Sequence, residues 1–325
     1  MRIRFHHALI VMAALVALLA VSALPLQAQS WPQHPVKLVV PLGPGSGADL
    51  GARLLADRLG RRWNQSVVVE NRPGGDGSIG ITAVLNAHDD HTLMFGPSSA
   101  FVAAPYLHGK LPYNPADLAP VARLSVTLVG VASPAALNIA SLNELIDLAR
   151  AQPGKVNWAT ATGVTDFLVA GYARKAGLAM PKVPYRDTVQ AINDLGEGRI
   201  QMYIGALAII LPQVQAGRIK LLAMTNMERA GMLPDVPTVA EAGFPDLEFD
   251  GVAGLFAAAG SISNDLRGRI AADLKAAVDD EMQKRLAATG QLLRPGGEAE
   301  FAASIKAQAD KVAAFAQLLG VQANQ

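Results

Sequence analysis

The residues with the clearest chemical potential lie in the run Val39-Val40-Pro41-Leu42-Gly43-Pro44-Gly45-Ser46-Gly47-Ala48-Asp49. This run carries an aliphatic stretch through a glycine-rich turn into an expected helix. Glycines let backbone N–H groups converge, and the unpaired amides of a helix N-terminus add partial positive charge. Such a turn can hold a carboxylate, sulfate or phosphate without Lys or Arg. The same residues also have a purely structural use, in which Ser46 caps the helix and Asp49 complements its dipole. Three further Gly- or Ser/Thr-rich turns recur near expected strand ends: residues 71–80, Gly96-Pro97-Ser98-Ser99, and 160–165, with Thr160, Thr162, Gly163 and Thr165. In an open α/β sheet, ligands bind beyond the carboxyl ends of the strands. Two sets of turns on facing lobes would converge on one cleft and offer a small anionic metabolite amides, hydroxyls and few charges.

Other chemistries fit less well. Glu70 ends the next strand where a ribose-binding acid would belong, but Gly43, Gly45 and Gly47 do not follow the Gly-x-Gly-x-x-Gly spacing of dinucleotide sites. The Gly-Lys-Ser/Thr ending of a nucleotide P-loop is absent too. No Gly-x-Ser-x-Gly elbow occurs, and Gly96-Pro97-Ser98-Ser99-Ala100 comes nearest. His88 and His91 flank Asp89-Asp90, a cluster that could clasp a metal or form a solvated turn. An exported hydrolase using Ser98, or a metal at His88 and His91, is therefore an alternative with thin support.

Composition narrows the field further. The 325 residues are 51% hydrophobic and 5% aromatic, with 28 Lys plus Arg against 27 Asp plus Glu and no Cys. A length of this order suits one large or two medium α/β domains. Near-balanced charge argues against nucleic acid as a partner. Without Cys there is no disulfide framework, thiolate metal site or cysteine nucleophile. Arg2 and Arg4 precede an uncharged apolar run over 8–24, followed by Pro25 and Leu26-Gln27-Ala28. That order predicts a secretory leader over 1–28, cleaved after Ala28; a retained membrane anchor is the competing reading.

The elements that must position the turns alternate between strand and helix. Strands are expected at 36–41, 66–70 and 92–95, and helices at 48–62 and 78–86, as in a mostly parallel sheet. A second series follows Leu111-Pro112-Tyr113-Asn114-Pro115. It has an apolar run at 121–132, helices at 141–150, 165–176 and 206–216, and strands at 155–159, 182–185, 200–204 and 219–225. Loops are expected at 226–235 and 243–251, then an Ala-rich helical tail over 263–319 interrupted at 291–297. If that tail covers the first sheet, the first domain is discontinuous, two crossings form a hinge, and the cleft between lobes is the ligand site.

With these elements in place, the chain resembles the Bug receptors, the periplasmic solute-binding proteins of tripartite tricarboxylate transporters. The resemblance spans the chain from Trp31 onward. It rests on Trp31-Pro32, the 41–49 loop, Val69-Glu70-Asn71-Arg72-Pro73-Gly74, Leu111-Pro112-Tyr113, Pro153-Gly154-Lys155 and Val183-Pro184-Tyr185. It rests above all on Leu233-Pro234-Asp235-Val236-Pro237-Thr238-Val239-Ala240-Glu241-Ala242-Gly243. The resemblance implies a type II periplasmic binding protein of two βα lobes joined by a hinge, with the ligand cleft between them. Lobe 1 would comprise 29–125 plus 251–325, and lobe 2 would comprise 126–250. It implies that a ligand carboxylate is gripped by Leu42, Gly43, Gly45, Ser46, Gly47, Ala48 and Asp49 together with Gly96, Pro97, Ser98 and Ser99. Thr160, Thr162, Gly163, Thr165, Tyr185, Arg186 and Gly205 would shape specificity.

Several positions depart from the family pattern. Phe167 stands where many members have His, Tyr185-Arg186-Asp187-Thr188 replaces Tyr-Lys-Gly-Gly, Ile204-Gly205 replaces Phe-Asp, and Val252-Ala253 replaces an aromatic pair. Loss of that Asp disfavours a ligand ammonium, and Arg186 could meet a second carboxylate if it points inward. The resulting expectation is a periplasmic, monomeric receptor without cofactor or catalytic residues. It would capture a small organic carboxylate for integral-membrane permease subunits or, alternatively, present it to a sensor kinase.

Overall fold

The structure, a computed structural model, describes residues 31–161, 163–185 and 187–323. The expected leader and the side chains of Thr162 and Arg186 lie outside the described residues. The chain divides into two units, Met1–Gln33 and His34–Gln325, and the larger one carries every strand and helix described below.

Two sheets organise this larger unit. The first is six-stranded in the order β10-β4-β9-β3-β1-β2, and the second four-stranded in the order β6-β7-β5-β8. The first contains β1 (Val36–Val40), β2 (Val67–Asn71), β3 (Thr92–Pro97), β4 (Leu118–Thr127), β9 (Gly251–Ala258) and β10 (Gln291–Gly296). The second contains β5 (Val129–Pro134), β6 (Trp158–Thr160), β7 (Met202–Ala206) and β8 (Ile219–Met224). Helices cover both: α1 (Gly47–Trp63), α2 (Ser78–Leu85), α3 (Ser99–Val102), α4 (Ala104–Leu107), α5 (Leu142–Ala151) and α6 (Gly163–Lys175). The later ones are α7 (Thr188–Gly196), α8 (Leu207–Gln215), α9 (Asn264–Ala277), α10 (Asp280–Ala287) and α11 (Glu298–Leu318).

Local sequence explains the expected elements. Helix α1 starts where Ser46 Oγ accepts a hydrogen bond from Asp49 N, and it buries Leu54, Leu55 and Leu59 against the sheet. Helix α5 starts at Ser141, whose Oγ accepts from Glu144 N, while Glu144 Oε2 accepts from Ala140 N. The run 233–243 contains a reciprocal cap of the same kind: Thr238 N donates to Glu241 Oε2 at 2.8 Å and Glu241 N to Thr238 Oγ1 at 3.1 Å. Arg229 also pairs with Glu241 at 2.8 Å, so this run acts as a structural brace.

Pairing departs from the expectation of a mostly parallel sheet. Strand β1 runs parallel to β2 and β3, and β6 to β7. The pairs β3–β9, β4–β9, β4–β10, β5–β7 and β5–β8 are antiparallel. In the first sheet the reason is the return of the chain: β9 and β10, both unforeseen, enter it after the second sheet is complete, while in the second sheet β5, which continues from β4, runs against β7 and β8. Strand β9, GVAGLFAA, lacks alternation because it is buried along nearly all its length. Strand β10 contains Pro295 and lies at the sheet edge, where a missing N–H is tolerated. The apolar run 121–132 is two strands in different sheets, parted at Leu128. Residues 182–185 form no strand, only an isolated bridge from Lys182 to Trp158.

The chain passes from the first sheet to the second at 127–129 and back at 225–250. Asn226 ties both passages together. Its Oδ1 accepts from Val129 N at 2.9 Å, and its Nδ2 donates to Thr127 O at 2.9 Å and Asp250 Oδ1 at 2.8 Å. Helix α11, which follows β10, packs against α6 so closely that a Cβ on Gly171 would lie 2.2 Å from the Phe315 ring.

Candidate functional site

A cleft of about 480 Å³ opens at the carboxyl ends of β1, β3 and β6, where ligands bind in open α/β sheets. From the first sheet come Leu42 after β1, Pro97 at the end of β3, Ser99 and Ala100 at the start of α3, and Asp76 and Gly77 ahead of α2. From the second come Thr160 at the end of β6, Ala161 after it, Gly163 and Asp166 on α6, and the segment from Lys182 to Tyr185. Leu107 and His108 close one side.

Of the residues expected at the site, the structure brings together Leu42, Pro97, Ser99, Thr160, Gly163 and Tyr185. The rest of the first loop is turned to its own support. Asp49 is 5% exposed. Its carboxylate accepts from Gly45 N at 2.9 Å and Asn71 Nδ2 at 2.9 Å, and pairs with Arg53 at 3.0 Å. Burial alone would raise the Asp49 pKa, but the hydrogen bonds from Arg53, Gly45 and Asn71 outweigh it and hold the group below the usual carboxylate value. Ser46 is engaged as the cap, its amide donating to Gly43 O at 3.3 Å. A Cβ on Gly47 would meet Gln291 Nε2 at 2.6 Å, which places this end of α1 against β10. Gly45, Ser46 and Asp49 thus fix the turn that presents Leu42, and Gly43, Gly47 and Ala48 stand outside the residues that surround this cavity.

Ser98 is fully buried and points away, donating to Gln308 Oε1 at 2.6 Å. That position removes it as an accessible nucleophile. Gly96 is buried beside the Pro41 ring, Thr165 is 2% exposed within α6, and Gly205 lies beneath the Tyr203 ring. At the other hydrolase candidate, His91 Nδ1 sits 2.6 Å from Asp90 Oδ1. Among the described residues no group of three or more His, Cys, Asp or Glu is placed to hold a metal ion.

Sequence reading missed the charged residues of the cleft. Asp76 adopts a left-handed conformation with φ 52°, between Gly75 at 56° and Gly77 at 94°, and its Oδ2 lies 3.1 Å from His108 Nε2. Asp166 accepts from Thr160 Oγ1 and from Lys182 Nζ, the latter at 2.7 Å. Lys182 Nζ also sits 5.8 Å from the Trp158 ring centroid. The available signal was adjacency, since Lys182 stands three residues before Tyr185 and Asp166 four after Thr162.

The cleft holds one ammonium, Lys182, and two carboxylates, Asp76 and Asp166. Helix α6 begins at Gly163 on the cleft wall, so its positive end faces the opening. Beside it stands the Lys182 ammonium, with the Ser99 and Thr160 hydroxyls opposite and adjacent. The Tyr185 hydroxyl donates to Asp194 Oδ2 at 2.7 Å. Burial and the Asp194 charge push its pKa up to about 12, so it stays a neutral donor. Phe167, in the place where His is common, is buried edge-on against Tyr106 with centroids 5.7 Å apart.

Comparison with known proteins gives one consistent result. The family model described as "Tripartite tricarboxylate transporter family receptor" matches residues 51–315. Protein BugT of Bordetella pertussis (strain Tohama I / ATCC BAA-589 / NCTC 13251) is 35% identical over 230 residues, covering 69% of this chain and 70% of BugT. An R. palustris protein solved with adipate superposes with a TM-score of 0.74 at 27% identity, over 90% of this chain and 99% of that one. MatC from Rhodopseudomonas palustris, solved with bound malate, gives a TM-score of 0.69 at 26% identity, over 89% and 99%.

Proposed function

The chain belongs to the tripartite tricarboxylate transporter receptor family, and from that premise we propose that it captures a small organic carboxylate in the cleft and passes it to integral-membrane permease subunits. The observation that carries this reading is the Lys182 ammonium beside the N-terminus of α6, paired with Asp166 in a cleft that also holds Asp76, the Ser99 hydroxyl and apolar side chains, so that an incoming carboxylate competes with Asp166 for it. A carboxylate placed there exchanges hydration for a charge-assisted hydrogen bond and a helix dipole. Micromolar affinity requires about 8 kcal/mol, which two clamping walls and apolar burial can supply. The adipate and malate held by the two solved relatives support a carboxylate over other anions.

The chemistry ends at binding. Lobe closure is the only step needed, and export follows from the leader over 1–28, with the mature chain starting at Gln29. The test is thermal denaturation of the mature protein across mono-, di- and tricarboxylates, since a ligand that binds only the native state raises its stability. At least one carboxylate should raise Tm, and Lys182→Met should weaken it about tenfold. A flat response to the whole panel sinks the proposal. N-terminal sequencing of periplasmic protein tests the export step.

A further inference from the structure

Strand β7 carries Tyr203 and Gly205 on one face, because residues two apart on a strand point the same way. A Cβ on Gly205 would lie 2.4 Å from Tyr203 Cε1 and 2.7 Å from its hydroxyl oxygen. The ring therefore leans toward the carboxyl end of the strand and fills the space a side chain at 205 would need. Tyr203 is 0% exposed, and its hydroxyl has no hydrogen-bond partner among the described residues. A buried hydroxyl without a partner is destabilising, and Phe would fill the same space without that cost.

The position of the ring points to what could satisfy it. Thr160 of β6 stands opposite Ile204, and Ala161 N donates to Ile204 O at 3.0 Å. Gly205 is thus level with the turn after β6 that lines the cleft. The buried group containing Tyr203 is packed by Ala161, Val183 and Tyr185, and all three line the cleft. The Tyr185 hydroxyl is already committed to Asp194. Burial pushes the Tyr203 pKa up, which keeps the phenol protonated and able to donate.

We propose that Tyr203 is a specificity-determining residue of the cleft: its hydroxyl, buried behind the wall to which Ala161, Val183 and Tyr185 contribute, is uncovered when ligand binds and donates to an oxygen acceptor at the far end of the ligand. This rests on the carboxylate reading above and narrows it to carboxylates with a second acceptor, of which α,ω-dicarboxylates are the simplest class. Gly205 is the enabling residue, since any side chain there would displace the ring.

The experiment is calorimetric titration of wild type and Tyr203→Phe with α,ω-dicarboxylates from succinate to suberate, each beside the monocarboxylate of equal chain length. Wild type should prefer the dicarboxylate of the best pair. Tyr203→Phe should keep or raise Tm, lose about tenfold in affinity for that dicarboxylate, and leave the monocarboxylate unchanged. Gly205→Ala should show the same selective loss. Equal affinity of wild type for both members of every pair, or a Tyr203→Phe variant that loses nothing or loses both equally, overturns the Tyr203 assignment alone. A wild-type protein that binds neither series but responds to another member of the carboxylate panel also overturns the Tyr203 assignment alone, whereas one that responds to no carboxylate overturns the carboxylate reading and the assignment with it.

Discussion

The carboxylate of Asp49 accepts a hydrogen bond from the amide of Gly45 at 2.9 Å, so the first turn of α1 reaches back to hold the loop that precedes it. The other oxygen accepts from Asn71 at the end of β2, at 2.9 Å. One buried side chain thereby couples the glycine turn to the neighbouring strand, and Leu42 inherits its position from that coupling: Asn71 Nδ2 also donates to Leu42 O at 3.0 Å.

Asp49→Ala should therefore destabilise the protein by about 1–3 kcal/mol, the usual cost of orphaning buried donors, and weaken ligand binding through the loop. Urea denaturation and calorimetry on the same preparation check both. Because the native pKa lies below the unfolded one, this contribution is present above the unfolded value and is lost as pH falls through the native value. Asp49 should accordingly impose no pH dependence near neutrality. Wild-type stability and affinity in Asp49→Ala would refute the coupling.

Ser98→Ala leaves the Gln308 carbonyl oxygen without its buried donor. A loss of about 1–2 kcal/mol in stability is expected, with ligand affinity unchanged once the native fraction is accounted for. A large affinity loss at constant stability would instead put Ser98 in contact with ligand.

Asp279 accepts two hydrogen bonds from Arg58, each 2.8 Å, and caps α10 through Met282 N at 2.7 Å. The Arg58 guanidinium first, and the Met282 amide second, lower its pKa to about 2. A depressed carboxylate stabilises the fold above its unfolded pKa and ceases to do so as pH falls through about 2. The stability difference between wild type and Asp279→Ala should be constant from pH 7 to about 5 and shrink steadily below about 4. Urea midpoints across that range test it; a difference independent of pH would mean that the pair does not form.

Gly171 lies where α6 meets α11, and a Cβ there would come within 2.2 Å of the Phe315 ring. Gly171→Val should overpack this contact, costing about 1–3 kcal/mol or more, and lower affinity by spreading the helix that begins on the cleft wall at Gly163. Small-angle scattering with and without ligand would register the change, and an unaltered Tm would count against so tight a contact.

Much of the fold was legible locally. The Ser46 cap, the leucine face of α1 and the turn after each parallel strand are encoded within a few residues, because capping and hydrophobic periodicity are short-range effects. The runs from Asn71-Arg72-Pro73-Gly74 to the 233–243 brace carried the family resemblance, and family membership followed. Strands β9 and β10 were not legible: one is buried without alternation, the other carries Pro295, and each exists only because a partner strand laid down earlier awaits it.

The site divides in the same way. Sequence alone determined that glycine-rich and hydroxyl-rich turns follow β1, β3 and β6, since those residues are the ones that permit such turns. Tertiary structure decided which members of each turn reach the cleft. Ser98 and Ser99 are adjacent, yet Ser99 lines the cleft while Ser98 faces a glutamine 210 residues away. Lys182 entered as part of an expected strand and emerged as the cleft's ammonium, paired with Asp166 across 16 residues. Orientation of this kind depends on which distant surface packs behind a turn, and no local propensity contains that information.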